Sequence, residues 1–167
     1  MVGSTLDRAR IFEILGSVPD PEVPVISVVE LGIVRDAVVT ETGAVQVTIT
    51  PTYSGCPAMF EIERDIVSAL QGAGAAQVEV RTVLSPAWTT DWIGPEAREK
   101  LRRYGIAPPG RAEQGGFVTL TRARPNVACP RCGSTDTRLK SEFGSTACKA
   151  IHVCSACGEP FDEFKAF

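Results

Sequence analysis

Two cysteine knuckles near the end of the chain constrain its fold more than any other feature: Cys129-Pro130-Arg131-Cys132-Gly133 and Cys154-Ser155-Ala156-Cys157-Gly158. Each is a C-x2-C-G pattern, and 21 residues separate Cys132 from Cys154. Two such knuckles bring four thiolates to the corners of one tetrahedron, the geometry of a structural Zn²⁺ ion. The same four sulfurs also suit a single iron or an Fe–S cluster. Zinc is preferred because the ligand set is complete and leaves no open position. The glycine after each second cysteine permits a positive φ, so the backbone can wrap tightly around the sulfurs. The pattern predicts a small, mostly β zinc ribbon over residues 128–167, with Cys129, Cys132, Cys154 and Cys157 as its metal ligands.

The rest of the chain must then supply another domain, and 167 residues leave room for one. An apolar fraction of 44% and a charged fraction of 22% describe a globular chain. The net charge of −3 argues against an electrostatic nucleic-acid binder. No run approaches the ~18 apolar residues of a membrane span. The first residues, with Asp7, Arg8, Arg10 and Glu13, lack the apolar core of a signal peptide. A cytoplasmic location follows as the expectation, and there the six cysteines are metal ligands or reactive thiols before they are disulfides.

Ser4 to Gly16 reads as a helix, with Ser4 and Asp7 as an imperfect capping box and Leu6, Ile11, Ile14 and Leu15 on one face. Pro19, Pro21 and Pro24 exclude helix and central strand from the next stretch. Ile33–Thr40 and Ala44–Thr50 are rich in β-branched residues and flank Glu41-Thr42-Gly43, a hairpin. A helix from Ala58 to about Leu70 buries Met59, Ile62, Ile66, Ala69 and Leu70, and Gly72 and Gly74 close it. Gln77–Leu84 alternates again. Strand, helix and strand in that order predict a parallel βαβ unit with a right-handed crossover. Pro95–Tyr104 is a short basic helix, opened by Pro95 and stopped by Gly105. A final strand is expected over Phe117–Arg124. The fold class is α+β: a small α/β sandwich with a mixed sheet, then the ribbon, joined by a hinge rich in proline and glycine.

Cys56 is the sharpest chemical feature of the first domain. It stands just before a helix, with Pro57 suited to the first helical position. Unpaired amides and the positive dipole end at a helix start favour thiolate over thiol. Such a sulfur can bind a soft metal, hold part of a cluster or attack a substrate; alternatively it simply packs. The acids Asp20, Glu22 and Glu30 could meet it if the proline-rich segment crosses the helix start, or could serve only as turn caps. His152 is the one histidine, and it lies in the ribbon, so a Cys–His nucleophile is disfavoured. Cys148 falls between the knuckles and reads as a small buried side chain or, second to that, an exposed thiol near the metal. Trp88 and Trp92 suit either an interface or the core. Lys100, Arg102 and Arg103 read as a solvated helix face.

The segment from Asp20-Pro21-Glu22-Val23-Pro24 through Glu30-Leu31-Gly32-Ile33-Val34 resembles the opening motif of SufT-like iron–sulfur assembly domains, and Thr50-Pro51-Thr52-Tyr53-Ser54-Gly55-Cys56-Pro57 resembles their cysteine-proline loop. Trp88-Thr89-Thr90-Asp91-Trp92-Ile93, Tyr104-Gly105-Ile106-Ala107-Pro108-Pro109 and Phe143-Gly144-Ser145-Thr146-Ala147-Cys148-Lys149 resemble the PaaD-type family of the phenylacetyl-CoA epoxidase system. The resemblance implies a SufT-like domain over 1–106, a linker over 107–127 and the four-cysteine ribbon over 128–167. It implies a non-enzymatic maturation factor in aerobic phenylacetate degradation. Its partners would be the epoxidase components, especially a flavin- and [2Fe–2S]-bearing reductase and a di-iron oxygenase. In this reading Cys56 handles a transient Fe–S cluster or iron, Asp20 and Glu22 line the same region, and the ribbon cysteines hold structural zinc. A cluster needs more than one cysteine, so two Cys56 residues across a homodimer, completed by external thiols, would be one way to hold it. Two alternatives stand beside it: a thiol enzyme acting through Cys56, and a docking adaptor without cargo. Neither membrane nor nucleic acid is an expected partner.

Overall fold

The computed structural model describes residues 6–110 and 127–166. The chain divides into two compact units, Met1–Trp88 and Thr89–Phe167.

In the first unit helix α1 spans Arg8–Leu15, and its N-cap is Asp7, whose side chain accepts from the Arg10 amide. The helix therefore begins later than Ser4, which lies outside the described residues. Ile11 and Leu15 carry its buried side. After it, Pro19–Gly32 forms consecutive turns instead of a regular element. Strands β1 (Val34–Val39) and β2 (Val45–Ile49) pair antiparallel around Gly43, whose φ of 81° suits the turn. Helix α2 (Met59–Gly72) follows, and β3 (Val78–Thr82) returns parallel to β2, giving the mixed sheet β1-β2-β3.

Alternation along β2 places Val45, Val47 and Ile49 in the core, and α2 contributes Ile62, Ile66 and Leu70. Each such side chain removed from water stabilises the fold by about 1.5–3 kcal/mol. Met59 and Ala69, expected in the same stripe, are only half-buried. Trp88 is core, and its indole Nε1 donates to the Leu31 carbonyl at 3.0 Å.

The second unit starts with a short 3₁₀ turn, Thr90–Trp92, and helix α3 (Pro95–Tyr104). Gly105, at φ 96°, stops the helix and hands the chain to β4, Ile106–Ala107. Strands β5 (Thr137–Ser141), β6 (Lys149–Cys154) and β7 (Pro160–Phe164) form an antiparallel ribbon, and β4 adds to it parallel to β7, giving the order β4-β7-β6-β5. The expected boundary at 106 falls inside the second unit, where Ile106 and Ala107 pair with Asp162 and Glu163. Arg98 ties α3 to the segments on either side of it by donating to the carbonyls of Ile93, Thr90 and Pro109. A two-residue strand carries no periodicity by which the sequence could reveal it. Most of the expected linker, and the strand expected over Phe117–Arg124, lie outside the described residues.

Candidate functional site

The ribbon knuckles are two copies of one backbone device. The Cys129 amide donates to the Ser134 carbonyl and the Cys154 amide to the Glu159 carbonyl. The Gly133 amide returns to the Cys129 carbonyl, and that of Gly158 to Cys154. Both glycines have positive φ, 76° and 77°. These turns aim four sulfurs at one point, with all four Sγ atoms within 4.8 Å of one another. The Cys132–Cys154 separation is 3.5 Å and that of Cys129–Cys157 is 3.8 Å. A tetrahedron of Zn–S bonds of about 2.3 Å has edges of about 3.8 Å, so the four thiols fit a zinc ion. Their acidities lead to the same conclusion. The Cys157 amide brings the Cys154 thiol down to about 7. The Glu159 amide pulls Cys157 the same way, yet burial and the other three sulfurs push it up to about 12. Sulfurs this close can all ionise only when a cation shares them. Behind them Ala107, Cys129, Cys154 and Phe161 form a small apolar core, with Val127 packed against it. Zinc bound here would tie two loops together and close the fold.

The other candidates in the second unit fall outside this cluster. Cys148 is buried, its sulfur 3.0 Å from the Thr146 hydroxyl. His152 lies on β6, buried, with Nε2 2.7 Å from a Glu163 carboxylate oxygen and its ring stacked on Phe161. Glu163 is a partner that sequence reasoning misses; the cross-strand register that joins the two is not visible there. Arg102 and Arg103 both bind Glu99 on the exposed side of α3, as a solvated face should.

In the first unit Cys56 lies in the loop between β2 and α2, half-buried. Its amide bonds to the Tyr53 carbonyl, and its carbonyl receives the Met59 amide. The Ala58 amide and the Thr52 hydroxyl both bear on the sulfur in the sense that favours thiolate. Thr52 is also missed by sequence reasoning, because a threonine four residues before a cysteine is not a distinctive signal. Burial outweighs both groups, and the carboxylates of Glu22 and Asp20 add to it, so the Cys56 thiol is pushed up from its usual range. This reverses the expectation that the helix start would make the sulfur a ready thiolate. The cause is tertiary: the proline-rich turns bring two acids to a half-buried sulfur.

Asp20 has a second use. It is 5% exposed, and Oδ1 accepts from the Glu22 amide at 2.9 Å and the Val23 amide at 2.8 Å, which pins the turn. Glu30 is occupied elsewhere: its carboxylate accepts from the Ser27 amide while its own amide donates to the Ser27 hydroxyl. Cys56, Asp20 and Glu22 are thus brought together electrostatically. Among the described residues, however, only the four ribbon cysteines converge as a ready metal-binding group. The described residues also include no helix long and apolar enough to cross a membrane.

Comparison with known proteins finds two family models on separate parts of the chain. A family model described as iron–sulfur cluster assembly protein matches residues 8–82, and one described as PaaD zinc beta ribbon domain matches residues 113–165. An Escherichia coli (strain K12) protein, named as the D component of a "Putative 1,2-phenylacetyl-CoA epoxidase", is 48% identical over 156 residues, covering 93% of this chain and 91% of that protein. A Porphyromonas gingivalis protein named Fe-S protein maturation auxiliary factor is 34% identical, covering 54% of this chain and 87% of its own length. The crystal structure of a DUF59 domain from Bacillus anthracis superposes with a TM-score of 0.52 at 28% identity, over 56% of this chain and 90% of that domain.

Proposed function

Because the chain belongs to the PaaD-type family of the phenylacetyl-CoA epoxidase system, we propose that it is an accessory maturation factor that assists insertion of iron or an Fe–S cluster into the metal centres of that system. The observation that carries this reading is the setting of Cys56: one accessible sulfur beside Ala58 N–H, the Thr52 hydroxyl and the acids Glu22 and Asp20.

The chemistry follows from that setting. At rest burial, with Glu22 and Asp20 adding to it, favours the thiol, which protects the sulfur from oxidation and from binding metal indiscriminately. Iron, or an iron-bearing cargo, brings positive charge that offsets the two carboxylates. The Cys56 proton then leaves to solvent, and the thiolate binds with Ala58 N–H and Thr52 O–H donating to it. Reversal of these steps releases the cargo. A maturation factor needs this kind of weak, reversible binding. One cysteine cannot hold a cluster alone, so two Cys56 residues from two copies, with external thiols, complete the ligand set. The reading is of a binding protein and not a catalyst. The chain's one histidine is already engaged, its Nε2 2.7 Å from a Glu163 carboxylate oxygen in the ribbon. The ribbon's zinc is structural, and the recipients are the epoxidase's reductase and oxygenase components.

The test is iron, sulfide and zinc analysis on protein prepared without oxygen, wild type beside Cys56→Ser. Iron and sulfide in the wild type that vanish in the variant, with one zinc per chain in both, support the reading. Equal iron in both removes Cys56 from the function, and no iron under any loading condition leaves a docking adaptor.

A further inference from the structure

The tip of the ribbon hairpin, between β5 and β6, holds a large aromatic ring in water. Phe143 is 65% exposed, although its backbone is tightly fixed. The Ser141 hydroxyl donates to the Phe143 carbonyl at 2.8 Å and accepts from the Phe143 amide at 3.2 Å. The next amide, Gly144, donates to the Lys149 carbonyl at 2.8 Å. Gly144 is also seated closely: a Cβ there would lie 3.2 Å from the Lys149 Cβ and 3.3 Å from an Asp162 carboxylate oxygen. The ring itself is held by Lys165, whose Nζ stands 4.9 Å from its centroid and donates to the Glu142 carbonyl at 3.2 Å. A scattered surface phenylalanine is ordinary. One presented on a locked loop is different, because little side-chain or loop entropy remains to be lost on contact.

The neighbourhood of the ring indicates what it meets. Among the described residues strand β5 is an edge of its sheet, and Leu139 on it is 39% exposed. From Thr137 to Lys149 the bases are Arg138, Lys140 and Lys149, and the one acid is Glu142. Lys149 is buried, while Arg138 and Lys140 are exposed, and Lys165 lies on the ring. The acids of the tip are Glu142 and Asp162, whose carboxylate lies beside Gly144, so with Arg138, Lys140 and Lys165 the tip is an apolar anchor with a modest excess of positive charge on a chain whose net charge is −3.

We propose that this tip docks a partner protein through an apolar pocket rimmed by carboxylates, with Phe143 as the anchor and Arg138, Lys140 and Lys165 facing the rim. An aromatic anchor in a desolvated pocket supplies most of the affinity in such contacts, and the charged rim supplies orientation and rate.

The test measures binding of the full chain to the purified epoxidase reductase and oxygenase components at two salt concentrations. Wild type is compared with Phe143→Ser, with the double variant Arg138→Glu/Lys140→Glu and with Gly72→Ala, and zinc content is measured throughout. The expected result is a loss of about tenfold or more in affinity for Phe143→Ser with zinc retained. The double variant should also bind more weakly and lose its salt dependence. Gly72→Ala, in the first unit where a Cβ meets nothing within 4 Å, should bind as wild type does. Should Phe143→Ser lose zinc, the double variant, altered only on an exposed strand, reads the same surface. Unchanged binding by Phe143→Ser with zinc intact, or by the double variant, overturns the proposal, as does failure of the wild-type chain to bind either component.

Discussion

The Cys132 sulfur lies 3.5 Å from that of Cys154, although 21 residues separate the two in sequence and they belong to different knuckles. Each knuckle by itself presents only two sulfurs, so a metal bound here would cross-link two loops that otherwise meet through the small core around Cys129 and Cys154 and the bond from the Ser155 amide to the Asp136 carbonyl. Removing it should unfold the ribbon while leaving the first unit intact. A strong chelator should release one zinc per chain, and hydrogen exchange should then accelerate in β5–β7 but not in α2 or β2. Cys132→Ser and Cys154→Ser should do the same without chelator. Cys148→Ser should keep the zinc, because Cys148 lies outside the cluster.

The acids beside Cys56 make its reactivity dependent on pH and charge. With the folded thiol raised by burial, Glu22 and Asp20, its alkylation by iodoacetamide should be slower at pH 7 than that of a free cysteine peptide. The rate should keep rising above the pH at which the peptide levels off. Glu22→Gln removes one raising charge and should move the profile to lower pH. The sign is set by the protonation step: carboxylates penalise the thiolate, so deleting one favours it. Quantitative labelling followed by mass spectrometry of the Cys56 peptide reads this directly.

Asp20 combines a structural bond with an electrostatic role, and two substitutions separate them. Asp20→Asn keeps an oxygen for the Glu22 and Val23 amides and should fold normally while easing Cys56 ionisation. Asp20→Ala leaves both amides without that acceptor and should cost about 1–2 kcal/mol in urea unfolding. Equal destabilisation by both changes would assign the turn to charge and not to hydrogen bonding.

Gly144 tests the packing of the ribbon tip. The added methyl of Gly144→Ala meets Lys149 and Asp162 at 3.2 and 3.3 Å, and overpacking of this kind costs about 1–3 kcal/mol. Gly72→Ala, where a Cβ meets nothing within 4 Å, serves as the control and should be neutral or slightly stabilising in thermal melts.

Much of the architecture could be read from local chemistry. The C-x2-C-G spacing locates the ribbon ligands because the turn that presents two thiols needs only five consecutive residues. The β-branched runs on either side of Gly43 define the hairpin, and Ile62, Ile66 and Leu70 mark the buried side of α2, because periodicity records burial directly. Pro95 and Gly105 delimit α3 through backbone conformation alone. Tertiary structure decided the remainder. The Cys56 thiol is pushed up by burial and by Glu22 and Asp20, more than thirty residues away, and no local rule carries either effect to it. The pairing of Ile106 with Asp162 moves α3 into the ribbon's unit, and the same kind of long-range register joins His152 to Glu163. Sequence specifies what each segment prefers within a few residues. Which charges meet which sulfur is settled only when segments far apart in the chain compete for the same space.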